Sequence, residues 1–198
     1  MNYLAHAWLS FHQPEILVGN MISDFVKGKR RFEYNAAIQK GIALHRSIDA
    51  FTDEHEATRE AKQFFKPAVG LYAGAFVDIV YDHFLARDRH EFKEDGLLQF
   101  SQFVYAVLDK NISVLPEKFA RLLPYMKSDN WLYNYQTMHG IEQSFAGLAR
   151  RAKYLTGSST AFAAFEINHG QLQQCYARFF PEVKRFAYDE SSRLNQPK

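Results

Sequence analysis

The sequence predicts an all-α fold, a single-domain helical bundle, and three observations lead to it. Apolar residues recur at three- and four-residue spacing along most of the chain, as at Leu97, Phe100, Phe103, Val104, Val107 and Leu108. Only 6 Pro and 10 Gly are spread over 198 residues, which leaves long helical windows unbroken. The hydrophobic fraction of 47%, with 18 Phe, suffices for one sizeable core, and no Gly/Ser- or Pro-rich linker divides it. Residues 1–190 therefore read as one helical domain, and 191–198 as a frayed tail.

Composition also narrows the setting. The single Cys175 has no partner for an internal disulfide, and the N-terminus lacks the basic region, apolar run and small-residue cleavage site of a secretory signal. The expected compartment is the cytoplasm. No apolar run is read as reaching the roughly 18 residues that cross a bilayer, so no membrane association is expected. A formal charge of +2 is too small to argue for nucleic acid.

Taken in order, residues 2–12 are apolar at Leu4, Ala5, Trp8, Leu9 and Phe11, a helical pattern in which His6 is embedded. A lone histidine there is ordinarily a core residue with one satisfied nitrogen, and becomes a ligand only where carboxylates converge on it. Pro14 opens a second helix whose stripe runs from Ile16 to Val26 and takes in Asp24, with Asn20 one turn earlier on the same face. Gly28 stops it within Lys27-Gly28-Lys29-Arg30-Arg31, either a solvated loop or a docking patch for an acidic partner.

Residues 35–51 form the next helix, with His45, Asp49 and Asp53 at steps of four on one face. His45 and Asp49 supply the imidazole and carboxylate that divalent transition metals favour. Arg46 is placed to reach a phosphate, or else to pair with Asp49 or Asp53. Residues 54–66 interleave charge signs as a solvent-facing helix does, and Pro67 is expected to begin the following one.

That following helix carries Ala75 to Leu85, apolar on every side yet bearing Asp78 and Asp82 four apart, with His83 just off their line. Burying a carboxylate costs several kcal/mol unless a cation, a metal or several donors compensate, so this pair demands a metal or a buried ion pair. Downstream, residues 92–115 read as an amphipathic helix and Pro116 and Pro124 bracket a short one. Ser128-Asp129-Asn130 cap a helix over 131–151 whose Trp131, Tyr133 and Tyr135 either line a groove or pack in the core. Residues 157–160 are a turn, and a last helix over 161–180 is ended by Pro181. There is no Gly-rich phosphate loop, no Cys-based metal pattern and no serine-nucleophile signature. The remaining chemistry is His and Asp on several helices, a common way to build a divalent site in a bundle.

On Met1-Asn2-Tyr3-Leu4-Ala5-His6, residues 19–28 (Gly-Asn-Met-Ile-Ser-Asp-Phe-Val-Lys-Gly), 41–49 (Gly-Ile-Ala-Leu-His-Arg-Ser-Ile-Asp), 78–85 (Asp-Ile-Val-Tyr-Asp-His-Phe-Leu) and Asn130-Trp131-Leu132, the chain resembles the acyl carrier protein phosphodiesterase family, related to the HD-domain metal-dependent phosphohydrolases. The resemblance spans nearly the whole length. It implies an HD-like helical fold and hydrolysis of the phosphodiester joining 4′-phosphopantetheine to a serine of holo acyl carrier protein. It also implies manganese, or another divalent cation such as Mg2+ or Fe2+. The HD signature has His followed by Asp, whereas this chain has Asp82-His83, so residues are matched by type. On that basis His6, Asp24, His45, Asp49, Asp78 and Asp82 form the expected ligand set, Asp82, His83 and Arg46 the expected catalytic groups, and Lys27, Lys29, Arg30 and Arg31 the docking patch for the acidic carrier. Two other readings fit the same residues: a phosphohydrolase of nucleotides or other small phosphate esters, and a helical binding protein whose buried Asp and His merely pair internally.

Overall fold

The computed structural model describes residues 1–152 and 158–196, and among them eleven α-helices and four short 3-10 turns appear, with no strand. Helices α1 (Tyr3–Trp8) and α2 (Pro14–Ile22) precede a 3-10 turn over Ser23–Phe25 and a second over Gly28–Glu33. Asp24 thus sits in a turn and not in the α2 stripe, and its side chain is 74% exposed. The long α3 (Ala36–Glu54) starts at Asn35, whose side chain accepts from Ile38 N–H, and lies closest to α2. Glycine allows that approach: a Cβ on Gly19 would stand 2.1 Å from the Ile38 carbonyl oxygen, and one on Gly41 2.2 Å from that of Ile16.

Helix α4 (Glu56–Val69) ends at Gly70, which takes φ +55°, and α5 (Ala73–Arg87) runs through the interior against α1, α4, α9 (Met138–Arg151) and α11 (His169–Asn195). Phe76, Val77, Val80, Tyr81 and Leu85 on α5 are fully buried. The run Glu56–Arg87 is long and apolar enough by composition to cross a membrane, contrary to the sequence expectation. In the fold it is broken at Gly70, and the apolar faces of α5 pack into the core. The remaining helices are α6 (Gly96–Lys110), α7 (Glu117–Ser128), the short α8 (Trp131–Asn134) and α10 (Ser159–Ile167). One apolar cluster links residues from Met1 to Ala187.

Three prolines read as helix boundaries lie inside helices. Pro67 is in α4, Pro124 in α7 and Pro181 in α11. Each is exposed, so water can solvate the carbonyl whose helical bond the ring removes, and the packing of the buried face carries the helix across. The predicted helix over 131–151 is instead α8 and α9, because the backbone turns extended at Thr137, whose side chain caps α9 by accepting from Gly140 N–H. The last predicted helix divides at Asn168 into α10 and α11. Helix α11 continues to Asn195, with Ser191 buried and Leu194 packed on the core, where a frayed tail was expected from residue 191. Gly157, in the predicted turn, lies outside the described residues.

Candidate metal centre

Helix α2 packs against both α1 and α3, and the polar residues of the three meet. His6 on α1 and His45 on α3 stack ring on ring, with centroids 3.9 Å apart and planes 17° apart. Both rings are held by a single residue of α2. The Nδ1 of His6 lies 2.8 Å from Asn20 Oδ1, and the Nδ1 of His45 lies 2.7 Å from the Asn20 carbonyl oxygen. The Asn20 amide is oriented in turn, because its Nδ2 donates to the His6 carbonyl at 2.8 Å and to Ser10 Oγ at 3.1 Å. Each Nδ1 therefore carries a proton and donates it to an oxygen, which fixes the tautomer.

The opposite nitrogens then both face Asp49. His6 Nε2 is 3.1 Å from Asp49 Oδ1 and His45 Nε2 is 3.1 Å from Asp49 Oδ2, and one ligand atom from each residue falls within 4.8 Å of the others. Burial, and then the neighbouring His45, push the His6 pKa down to about 4, so this ring is neutral. Its Nε2 lone pair then points at a carboxylate oxygen, one acceptor against another. A cation between the two resolves that opposition, so the donor set fits a divalent ion. Burial also opposes charge on His45, but Asp24 and Asp49 outweigh it and raise its pKa to about 9. Asp49 resists protonation: burial works against its charge, while the bonds to His45 and His6 prevail and hold its pKa far down. Asp24 Oδ1 stands 3.3 Å from His45 Nε2 at the solvent edge, and that bond lowers its pKa.

The other predicted residues occupy different places. Asp78 is half-buried beside the group, its Oδ1 3.1 Å from the Met1 amino nitrogen, which is itself 3.6 Å from Asp49 Oδ1. Asp82, fully buried, is joined to the group only through α1: its Oδ2 accepts from Leu4 N–H at 2.7 Å and its Oδ1 from Ala5 N–H at 3.1 Å. Both oxygens offered by the sequence for ligation and proton transfer are thus engaged in capping the helix that carries His6. Burial raises the Asp82 pKa to about 7. His83 lies apart from the triad in an aromatic pocket with Phe84 and Phe165, its Nδ1 2.6 Å from the Tyr135 carbonyl oxygen and its buried Nε2 without a partner among the described residues. Arg46 is exposed and donates to the Val26 carbonyl oxygen at 3.1 Å, which ties the cationic turn to α3. On that turn Lys27, Lys29 and Arg30 are exposed, Arg31 lies over the Phe32 ring at 4.7 Å, and Phe32 is 60% exposed. Asp53 leaves the His45/Asp49 line to pair with Lys62 at 2.7 Å.

The residue that sequence reading left out of the site is Asn20. Its signal was a fully polar side chain in the middle of Ile-Leu-Val-Gly-Asn-Met-Ile, where only a structured set of partners makes burial tolerable.

A family profile described as acyl carrier protein phosphodiesterase matches residues 1–183. The chain belongs to that family. Among curated acyl carrier protein phosphodiesterases, one from Klebsiella pneumoniae (strain 342) is 32% identical over 190 residues, 94% of this chain and 97% of that protein. One from Serratia proteamaculans (strain 568) is also 32% identical, over 96% of this chain and 99% of its own length. A third, from Yersinia enterocolitica, is 29% identical over 96% of this chain. No solved structure matches the chain. The triad residues His6, His45 and Asp49, their support Asn20 and the cationic turn all fall within the span matched by the phosphodiesterase family.

Proposed function

We propose that this protein hydrolyses the phosphodiester joining 4′-phosphopantetheine to a serine of holo acyl carrier protein in the cytoplasm, releasing the apo carrier. His6, His45 and Asp49 hold a divalent cation, manganese or a similar ion. The observation that carries this reading is the convergence of two tautomer-fixed imidazole Nε2 atoms on one carboxylate, in a chain of this family. A divalent cation there supplies positive charge to the phosphoryl oxygens and makes a water acidic enough to attack at neutral pH.

The chain's own residues do the rest. Asn20 aims both imidazoles, and Asp82 fixes the start of α1 so that His6 keeps its place. Asp24, exposed and bonded to His45, is the carboxylate nearest solvent and the group we assign to receive the proton from the attacking water. Asp78 completes the negative wall beside Asp49 and is retained as a further ligand. Arg46, beside the cationic turn, steadies the phosphate, and Lys27, Lys29, Arg30 and Arg31 attract the acidic carrier. His83 is assigned no proton-transfer role here.

The test is metal analysis of the purified protein, then mass spectrometry of a holo carrier protein before and after incubation, with and without chelator. Loss of the phosphopantetheine mass, stopped by chelator and restored by Mn2+, supports the reading. An intact carrier alongside turnover of a nucleotide or another small ester favours the small-substrate phosphohydrolase. Absence of both metal and turnover leaves the binding-protein reading.

A further inference from the structure

A cleft of about 450 Å³ opens beside α1, between its first residues and helices α8 and α9. Asn2, Tyr3, Ile79, Trp131, Asn134 and Gln143 contribute to its walls, and Arg150 and Arg151 stand at its side. Its size lies in the range of small-molecule sites. None of the triad residues lines it, yet it adjoins them: Tyr3 lies three residues before His6 on α1, and Ile79 directly follows Asp78. Tyr3 also packs against Phe119, with ring centroids 6.4 Å apart, and Phe119 packs against Phe25, the neighbour of Asp24, at 5.3 Å, which connects this wall of the cleft to the segment that carries Asp24.

The lining has a specific chemistry. Trp131, Tyr3 and Ile79 give apolar surface, while Gln143 and the amide oxygens of Asn2 and Asn134, whose Nδ2 groups donate to Tyr135 and to the Asp129 carbonyl, offer partners for other amides. One wall is held rigid, since Asn2 Nδ2 donates to the buried Tyr135 hydroxyl at 2.9 Å. Two arginines face one carboxylate, Asp129, so the cleft carries positive charge. An aliphatic acyl chain would strip water from the amide groups it covers without pairing them, at about 1–3 kcal/mol for each one it buries. A chain with a phosphate at one end, amides along its length and branched methyl groups between them satisfies all three surfaces.

We infer that this cleft is the seat of the 4′-phosphopantetheine arm, with the phosphate toward the triad at Tyr3 and Arg151 and the amide-bearing chain along α8 and α9. The inference rests on the proposed substrate, and it assigns the recognition of the prosthetic group to a surface separate from the cationic turn, which faces the carrier protein itself.

The test measures binding directly. The dissociation constants of 4′-phosphopantetheine, methyl phosphate and AMP are determined by calorimetry for the wild type and for Ser144→Trp, which builds bulk into the cleft from α9. The expected result is that 4′-phosphopantetheine binds at least tenfold more tightly than methyl phosphate, and that this ratio falls toward one in the variant. Gln143→Trp, from an exposed position on the same wall, repeats the measurement should Ser144→Trp fail to fold as judged by circular dichroism. Steady-state kinetics on the holo carrier should show the same variants raising KM tenfold or more with a smaller change in kcat. Equal binding of 4′-phosphopantetheine and methyl phosphate by the wild type, a ratio that survives both tryptophans, or AMP binding as tightly with the same sensitivity, overturns the assignment. The two readings fail separately: turnover of the holo carrier without arm-selective binding sinks the cleft alone, and arm-selective binding without turnover sinks the hydrolase reading alone.

Discussion

At the scale of single residues, the site is organised by which atom of each histidine is already taken. Asn20 engages both Nδ1 atoms, so His6 and His45 are left with only Nε2 to offer, and Asp49 stands between them. His45→Ala should abolish metal binding and turnover while leaving helical circular dichroism largely intact, and near-normal turnover with saturating Mn2+ would remove it from the ligand set. Asp78→Ala should likewise stop hydrolysis, through the loss of a carboxylate beside Asp49, and an unchanged rate would reduce Asp78 to a partner of the Met1 amino group. Asn20→Ala should weaken the metal by about 10–100-fold, the range typical of groups that orient a ligand. Proton competition gives a further signature. In the metal-free protein the His45 pKa is raised to about 9, above its ordinary value near 6.5. The stability it contributes is therefore complete below pH 6.5 and is lost as pH rises through 9. A cation must displace that proton, so affinity should rise with pH over the same interval. Thermal melts with and without Mn2+ should show a larger metal-induced increase in Tm at pH 8.5 than at pH 6.5, and a difference of the opposite sign would show that His45 does not yield its proton to the ion.

At the scale of elements, two contacts place the three donor-bearing helices. Asp82 caps α1 from α5, and Gly19 and Gly41 let α2 and α3 touch backbone to backbone. Gly19→Ala puts a methyl 2.1 Å from the Ile38 carbonyl oxygen, an overpacking for which about 1–3 kcal/mol is the usual cost. Because Asn20 follows directly, the same shift should draw its carbonyl from His45 and lower metal affinity together with Tm. Denaturation curves paired with a metal titration check this, and a stability loss at unchanged affinity would separate helix packing from the site. Asp82 was legible as a buried charge needing partners. That its partners are two backbone amides of α1 was not, since nothing in residues 75–85 indicates which helix end lies across from them.

At the scale of the whole molecule, the proposed docking of an acidic carrier rests on the cationic turn. Lys27, Lys29 and Arg30 are exposed there, Arg46 anchors the turn, and Phe32 adds an apolar tip. Attraction of this kind is screened beyond about 8 Å at physiological salt, so rising ionic strength should slow turnover of a holo carrier. Reversing Lys29, Arg30 and Arg31 to Glu should lower kcat/KM for the carrier and leave hydrolysis of a small phosphodiester nearly unchanged. Paired rate series over ionic strength for both substrates decide the matter: equal losses would assign the turn to the reaction centre, and no loss on either would make it plain surface.

The sequence by itself determined the helical class, because period and scarcity of breakers are local properties, and it determined the pair His45 and Asp49, because a one-turn spacing on a single helix holds whatever the helix packs against. It also supplied His6 and Asp24 as members of the neighbourhood, though it put Asp24 on a helix that ends two residues earlier. Only the tertiary structure decided which residues on separate helices meet. Asp78 and Asp82 share the spacing of His45 and Asp49, yet one stands beside Asp49 and the other caps α1, since their distances to other helices depend on crossings that no one-turn pattern encodes. Helix ends at proline were misplaced for the same reason: the ring's local cost is fixed by the sequence, but the burial that outweighs it at Pro67, Pro124 and Pro181 comes from neighbours far along the chain.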